Sequence, residues 1–148
     1  MKIGVGTDHG GFVLKDTVIA VLNEAGHEVF DFGTRDAAPV DYPDPAKAVA
    51  EAVAGGEVER GVLICGSGVG VAIAANKVAG VRACLCHDTY SARQGVEHDA
   101  MNVLCLGGRI IGDELAGELV RSFLSGAFTG EERHRRRLAK VVAMEACS

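Results

Sequence analysis

Short runs of Val, Ile, Leu, Cys and Phe alternate along the chain with longer stretches in which apolar residues recur every three or four positions. Lys2–Thr7, Glu28–Phe32, Gly61–Cys65, Arg82–Cys86 and Asn102–Leu106 are apolar toward both faces. That pattern predicts strands of a parallel sheet covered on both sides. Between them the spacing predicts helices over Gly11–Ala25, Pro45–Ala54, Gly70–Val78 and Thr89–Glu97, with Gly26 and Gly80 placed as C-terminal stops. Two consecutive helices, Asp113–Leu124 and Gly130–Ala146, follow the fifth strand. The second carries Leu138, Val141 and Val142 on one side and basic residues elsewhere, so it is expected to reach outward onto a partner subunit. Repeated β-α alternation with short connections predicts an α/β fold. The expected architecture is a Rossmann-like three-layer sandwich, a five-stranded parallel sheet flanked by helices, plus a C-terminal helix. Without a linker, repeat or low-complexity stretch, residues 1–148 read as one domain.

Composition narrows the function classes. Hydrophobic residues make up 48% of 148 positions, enough for a sizeable core without disulfides or metal. No apolar run approaches the roughly 20 residues of a membrane span. The opening MKIGVGTD lacks a signal-peptide pattern, so the expected location is cytoplasmic. A net charge of −5 argues against a nucleic-acid binder, although Arg133, Arg135, Arg136 and Arg137 crowd one stretch and could form a local anion site. The cysteines (Cys65, Cys84, Cys86, Cys105 and Cys147) are odd in number and lack zinc spacing. They read as free thiols, and no metal site is expected.

In doubly wound sheets ligands bind beyond the carboxyl ends of the strands. That rule selects Thr7–Gly10, Gly33-Thr34, Cys65–Gly68, His87-Asp88 and Gly107–Arg109. In LICGSGVG, Cys65 ends a strand and Gly66, Ser67, Gly68, Val69 and Gly70 lead into a helix. Backbone N–H groups there can converge on a phosphate or an oxyanion, and they favour the anionic form of a nearby sulfur. The plainer reading, a buried strand cysteine before a tight turn, stands beside it. The segment fits neither the Walker loop nor G-x-G-x-x-G, which counts against a nucleotide site.

Asp8 and His9 could orient a sugar and its phosphate, or simply cap the next helix. Tyr42 sits in a loop with Asp41 and Pro43, where an anchoring role is as plain a reading. His98, beside Asp99, has the make-up of a general acid–base or of a surface histidine. His87 is a weaker candidate at the same sheet edge, and His27 lies at the opposite edge. Arg133 and Arg137, four apart, share a helix face and could grip one phosphate, or form a solvated face with Glu131 and Glu132. Arg109 is a third anion ligand.

Taken in order, GTDHGGFVLK, DFGT with DYPD, GVLICGSGVGVAIAANKVAGVRA, EHDAMNVLCLGGRIIG and ERHRRRL resemble the ribose-5-phosphate isomerase B family, relatives of the galactose-6-phosphate isomerase subunits. The resemblance spans almost the whole chain. It implies an aldose–ketose isomerase without cofactor or metal, acting on a small-molecule sugar phosphate. It also implies homodimers with active sites shared between subunits, or tetramers built from them.

Carried over residue by residue, it makes Cys65 the base that takes the C2 proton of ribose 5-phosphate and returns it at C1. The backbone of Gly66–Gly70 would hold the enediolate, and Ser67 would help move protons between oxygens. His98 of the neighbouring subunit would open the furanose ring. Asp8, His9 and Tyr42 would meet the sugar; His9, Arg109, Arg133 and Arg137 would meet the phosphate. One position departs from the family, which has Asn where this chain has Asp99. A carboxylate cannot donate to a substrate oxygen, which keeps allose 6-phosphate or a tetrose phosphate open as the preferred sugar. A non-catalytic phosphosugar-binding module is the other class, and it would need neither the thiol nor the imidazole.

Overall fold

A computed structural model describes residues 1–146; Cys147 lies outside the described residues. The chain runs β1 (Lys2–Thr7), a 3-10 turn (Phe12–Leu14), α1 (Lys15–Glu24), β2 (Glu28–Asp31), α2 (Pro43–Ala54) and β3 (Arg60–Cys65). It continues α3 (Val69–Ala75), β4 (Ala83–Leu85), α4 (Thr89–Asp99), β5 (Val103–Gly107), α5 (Asp113–Ser125) and α6 (Glu132–Glu145). All strand pairs are parallel, in the order β2-β1-β3-β5-β4. From β1 the chain steps one way to β2 and the other way to β3, so the crevice for a ligand opens between the ends of β1 and β3. The register sets Thr7 opposite Ile64 and Cys65 opposite Gly107, which brings three strand ends level.

Alternation along the central strands divides the core. Val62, Ile64, Leu104 and Leu106 pack toward α1, α4 and α5, while Leu63, Cys65, Val103 and Cys105 pack toward α2 and α3. Each fully buried aliphatic side chain contributes roughly 1.5–3 kcal/mol.

The predicted first helix begins as the 3-10 turn before settling into α1. α3 stops at Ala75 rather than Val78, because the Asn76 side chain donates to the carbonyls of Ala72 and Ala83 and accepts from the Ala83 amide. This draws the chain directly into β4. Gly26, at φ 79°, follows the C-cap of α1 as expected of a helix stop, whereas α3 is already capped at Asn76, so Gly80, at φ 83°, turns the loop between α3 and β4 instead.

At the front of the sheet, loops touch backbone to backbone. A Cβ on Gly11 would lie 2.4 Å from the Ile64 carbonyl oxygen, so only glycine lets the β1 loop cross the end of β3. A buried lysine ties down the next loop. Lys15, 5% exposed, pairs with Asp31 at 2.7 Å and donates to the Thr34 carbonyl. Further along that loop the Val40 N–H donates to His9 Nδ1 at 3.2 Å, so this clamp and the first strand end share one piece of chain.

Lys15→Ala removes two charge-assisted bonds and leaves Asp31, about one-third exposed, to water. The expected cost is about 1.5–3 kcal/mol, read as a drop in the urea midpoint with unchanged slope. A stability within about 0.5 kcal/mol of wild type would show that the clamp does not hold the loop.

Candidate active site

Cys65 is the last residue of β3, and its side chain is buried at 5% exposure. The chain then turns through Gly66–Gly68 into α3. Gly68 takes φ +80°, and a Cβ there would lie 2.9 Å from the Leu106 backbone, so the turn has no room for a side chain. That conformation aims the Gly68 N–H at Cys65 Sγ, 3.1 Å away. The Val69 N–H meets Ser67 Oγ at 3.3 Å, and the Ser67 side chain is exposed.

A cleft of about 350 Å³ opens above the sulfur, lined by Asp8, Tyr42, Cys65, Gly66, Ser67, Gly70, Arg109 and Ile110. Asp8, 8% exposed, is held by the Gly11 N–H donating to Oδ1 at 3.0 Å. Tyr42, the residue before α2, lays its ring against Gly70, where an added Cβ would sit 2.9 Å from ring carbon Cε2. Arg109 is anchored by its own N–H to the Gly66 carbonyl at 3.0 Å, and its guanidinium lies over Gly66. His9 is exposed; because its Nδ1 accepts from Val40, the neutral ring carries its proton on Nε2.

Three other thiols of the described residues are raised above the ordinary cysteine value. Burial pushes Cys86 up to about 11, with Cys84 and Asp88 adding to it. Burial also raises Cys105 strongly and Cys84 less so, Asp99 adding to the latter. All three stay protonated at neutral pH. Among the described residues no cluster of three or more His, Cys, Asp or Glu comes together as a metal would require.

A second group lies apart from the cleft. His98, near the end of α4, and His134 on α6 stack with ring centroids 4.1 Å apart and planes at 25°. Gln94 donates to His98 Nδ1 at 2.8 Å, which leaves the proton of the neutral ring on Nε2. Arg133 pairs with Glu131 at 3.2 Å, and Arg136 with Glu132 at 2.6 Å. Arg133 and Arg137 are exposed on α6. Asp99 is exposed as well and lines a separate apolar groove with Cys84, Met101, Leu138, Val141 and Met144. Of the residues singled out from the sequence, Asp8, Tyr42, Cys65, Gly66, Ser67, Gly70 and Arg109 line one cleft. Within one chain His98, Asp99, Arg133 and Arg137 do not line it, and neither do His9, Gly68 and Val69.

The weaker histidines acquire plain roles. His87 Nε2 accepts from the Gly107 N–H at 3.1 Å, and His27 Nδ1 from the N-terminal amine at the same distance. Three residues escaped the sequence reading. Ile110 is an apolar residue on the cleft wall, and nothing in its local pattern sets it apart. Lys15 was hidden because its partner Asp31 lies in another element. His134 did carry a signal: it falls four before Leu138 and seven before Val141, in line with the apolar side of α6.

Residues 3–141 match the model of the Ribose/Galactose Isomerase family. Ribose-5-phosphate isomerase B of Escherichia coli is 49% identical over 144 residues, covering 97% of this chain and 96% of that one. D-erythrulose-4-phosphate isomerase of Pectobacterium atrosepticum is 40% identical over 132 residues, 88% of this chain and 86% of its own. Among solved structures, type B ribose 5-phosphate isomerase from Trypanosoma cruzi superposes with a TM-score of 0.97 at 47% identity, over 100% of both chains. A match of this length on the same five-stranded sheet places the chain in the ribose/galactose isomerase family, and so among the aldose–ketose isomerases of sugar phosphates.

Proposed function

We propose that the chain interconverts ribose 5-phosphate and ribulose 5-phosphate through an enediolate, with Cys65 as the base. The observation that carries this reading is the Cys65 sulfur in a cleft it shares with Asp8, Ser67 and Arg109, receiving the Gly68 N–H at 3.1 Å. A thiolate accepts such a bond more strongly than a thiol does. Moving a proton between adjacent carbons needs one base and strong stabilisation of a negative oxygen. The thiolate supplies the first and the N–H groups of the Gly66–Gly70 turn supply the second, so the step needs no cofactor.

In the proposed sequence the furanose opens first. The imidazolium form of His98, with the Gln94 side-chain carbonyl turned to accept from Nδ1–H, gives its Nε2 proton to the ring oxygen as the bond from that oxygen to C1 breaks. The C1 hydroxyl gives its proton to water, and solvent restores the imidazolium. Cys65 then removes the C2 proton and the electron pair passes onto O1. Ser67 helps shift the proton from O2 to O1, and Cys65 returns the carbon-bound proton to C1, leaving the ketose. Asp8, His9 and Tyr42 orient the sugar, and His9, Arg109, Arg133 and Arg137 bind the phosphate.

Because His98, Arg133 and Arg137 do not line the Cys65 cleft of their own chain, the reading pairs two copies in a homodimer. Each copy would complete the other's site. Exposed Val69 (48%), Ile73 (57%), Leu85 (38%) and Ile110 (63%), on or near the turns around the cleft, supply apolar surface for that contact. A single cytoplasmic isomerase domain, as a dimer or a tetramer of such dimers, is part of the proposal. Among the described residues no helix is long and apolar enough to cross a membrane.

Cys65→Ala should lower kcat on ribose 5-phosphate by about 10²–10⁴-fold with the fold intact by circular dichroism. Retention of more than about a tenth of wild-type kcat would remove Cys65 from the role of base. Arg133→Ala and Arg137→Ala should each raise KM about ten- to a hundred-fold, equivalent to losing one bond to a charged group. Equal effects on phosphorylated and unphosphorylated sugars would detach both arginines from the phosphate.

Asp99 and the 40% identity to a D-erythrulose-4-phosphate isomerase favour one second reading, a tetrose phosphate as the preferred substrate. Kinetics of wild type and Asp99→Asn on four-, five- and six-carbon aldose phosphates separate the two. On the ribose reading, Asp99→Asn speeds ribose 5-phosphate turnover and wild type still prefers the pentose. On the tetrose reading, wild type prefers erythrose 4-phosphate and the variant loses on that sugar.

A further inference from the structure

His134 is the one buried histidine of the chain's described residues, at 2% exposure, and the isomerisation scheme above gives it no task. It lies within the basic stretch ERHRRRL, yet it turns inward while its neighbours Arg133, Arg135, Arg136 and Arg137 are exposed. Its hydrogen bonds assign its state. Arg133 Nε–H donates to His134 Nε2 at 3.2 Å, so Nε2 must accept. The ring proton then sits on Nδ1 and donates to Thr129 Oγ1 at 2.7 Å. Both nitrogens are engaged and the ring cannot turn without breaking one of the bonds.

We propose that His134 is a positioning residue for His98: the fixed ring of His134 sets the plane of the His98 imidazole and thereby the direction of its Nε2–H. The inference rests on the ring-opening role given to His98. The stack covers one face of a ring that is otherwise half-exposed, and Gln94 holds its Nδ1 from the side. Among the described residues Nδ1 has the Gln94 hydrogen bond, and Nε2 is the ring nitrogen of His98 that carries the proton of the neutral ring. Burial, the adjacent His98 and the Arg133 guanidinium hold His134 below the ordinary histidine range, with Arg137 acting the same way and Glu131 opposing. A neutral ring under His98 tolerates an imidazolium there, whereas a second charge at this distance would repel it. Proton transfer is sensitive to such placement, since a displacement of about 1 Å at a catalytic group can cost roughly 10²-fold.

The test separates ring opening from the carbon chemistry. Ribose 5-phosphate in solution is mostly furanose and must be opened. Ribulose 5-phosphate has its C5 oxygen esterified and stays open-chain. Its exchange of a C1 hydrogen for deuterium in D2O, followed by NMR, reports Cys65 chemistry without ring opening. For His134→Ala we expect ribose 5-phosphate turnover to fall about tenfold or more, while C1 exchange stays within about threefold of wild type. Arg133→Ala is the contrast and should lower both together through the phosphate. If His134→Ala lowers both by one factor, or neither, the positioning role is overturned.

His98→Asn separates the two layers of the argument. If it splits the two rates and His134→Ala does not, only the role of His134 falls. If it leaves their ratio unchanged, the ring-opening reading falls and the inference with it. Should His134→Ala not fold, His134→Asn keeps a donor and an acceptor for Thr129 and Arg133 but removes the stacked ring. The same split is expected of it and the same outcomes decide.

Discussion

Three strand-end loops must share one point of space without side chains between them, and the rest of the site depends on that constraint. The β1 loop crosses the end of β3 at Gly11, against the Ile64 carbonyl. The end of β5 approaches the β3 turn just as closely: a Cβ on Gly107 would lie 2.7 Å from the Ser67 carbonyl oxygen. The Gly108 N–H donates to the Cys65 carbonyl at 2.8 Å and the Arg109 N–H to the Gly66 carbonyl at 3.0 Å, so the contact is also hydrogen-bonded. Asp8, Cys65 and Arg109 thereby come from three different strands to one cleft on a rigid backbone. A methyl group at Gly11 or Gly107 would push these ends apart, and with them the groups that surround the sulfur.

The same packing distinguishes Cys65 from its neighbours. Cys105 lies one strand away on the same face of the sheet, wholly buried, with burial as the largest cause of its raised value. Cys65 is nearly as buried, but it is the last residue of β3, still opposite Gly107 of β5, and the chain turns directly after it. The Gly68 N–H left over by that turn is what reaches the sulfur. A thiol two residues earlier in β3 would find both of its flanking amides committed to the ladder. Position along the strand, rather than burial, is what gives Cys65 an amide partner at its sulfur.

Much of this was legible in the sequence because the signals were local. The five apolar runs fell on the five strands within a residue or so, since both faces of a parallel sheet are covered and the runs are continuous. The strand-end rule selected Asp8, Cys65, Ser67 and Arg109, and the structure places them around one cleft. What the sequence hid was non-local. α3 ends early through the bonds of Asn76 to Ala83, and no helix pattern contains that information. The buried Lys15 reads as an ordinary surface lysine until Asp31 is known to face it. His134 was overshadowed by the arginines around it, although its spacing to Leu138 and Val141 put it in line with the apolar side.

The separation of His98, Arg133 and Arg137 from the Cys65 cleft is itself informative under the proposed dimer. On that proposal the groups assigned to ring opening and to part of the phosphate sit on α4 and α6, which meet at the His98–His134 stack. Cys65, the proposed base, sits at the end of a sheet strand. Within each unit the geometry is set by the chain's own core, so association has only to bring two finished surfaces together. Errors in that docking would move Arg133, Arg137 and His98 as one body relative to Cys65, His9 and Arg109 of the other copy. The sugar phosphate, held by Arg133 and Arg137 of one copy and by Arg109 and Cys65 of the other, would then act as the gauge of the distance between them. On this arrangement chain length is selected by the spacing between the two copies as well as by the cleft wall. Substitutions in the apolar groove beside Asp99 could therefore change sugar preference without touching the sugar.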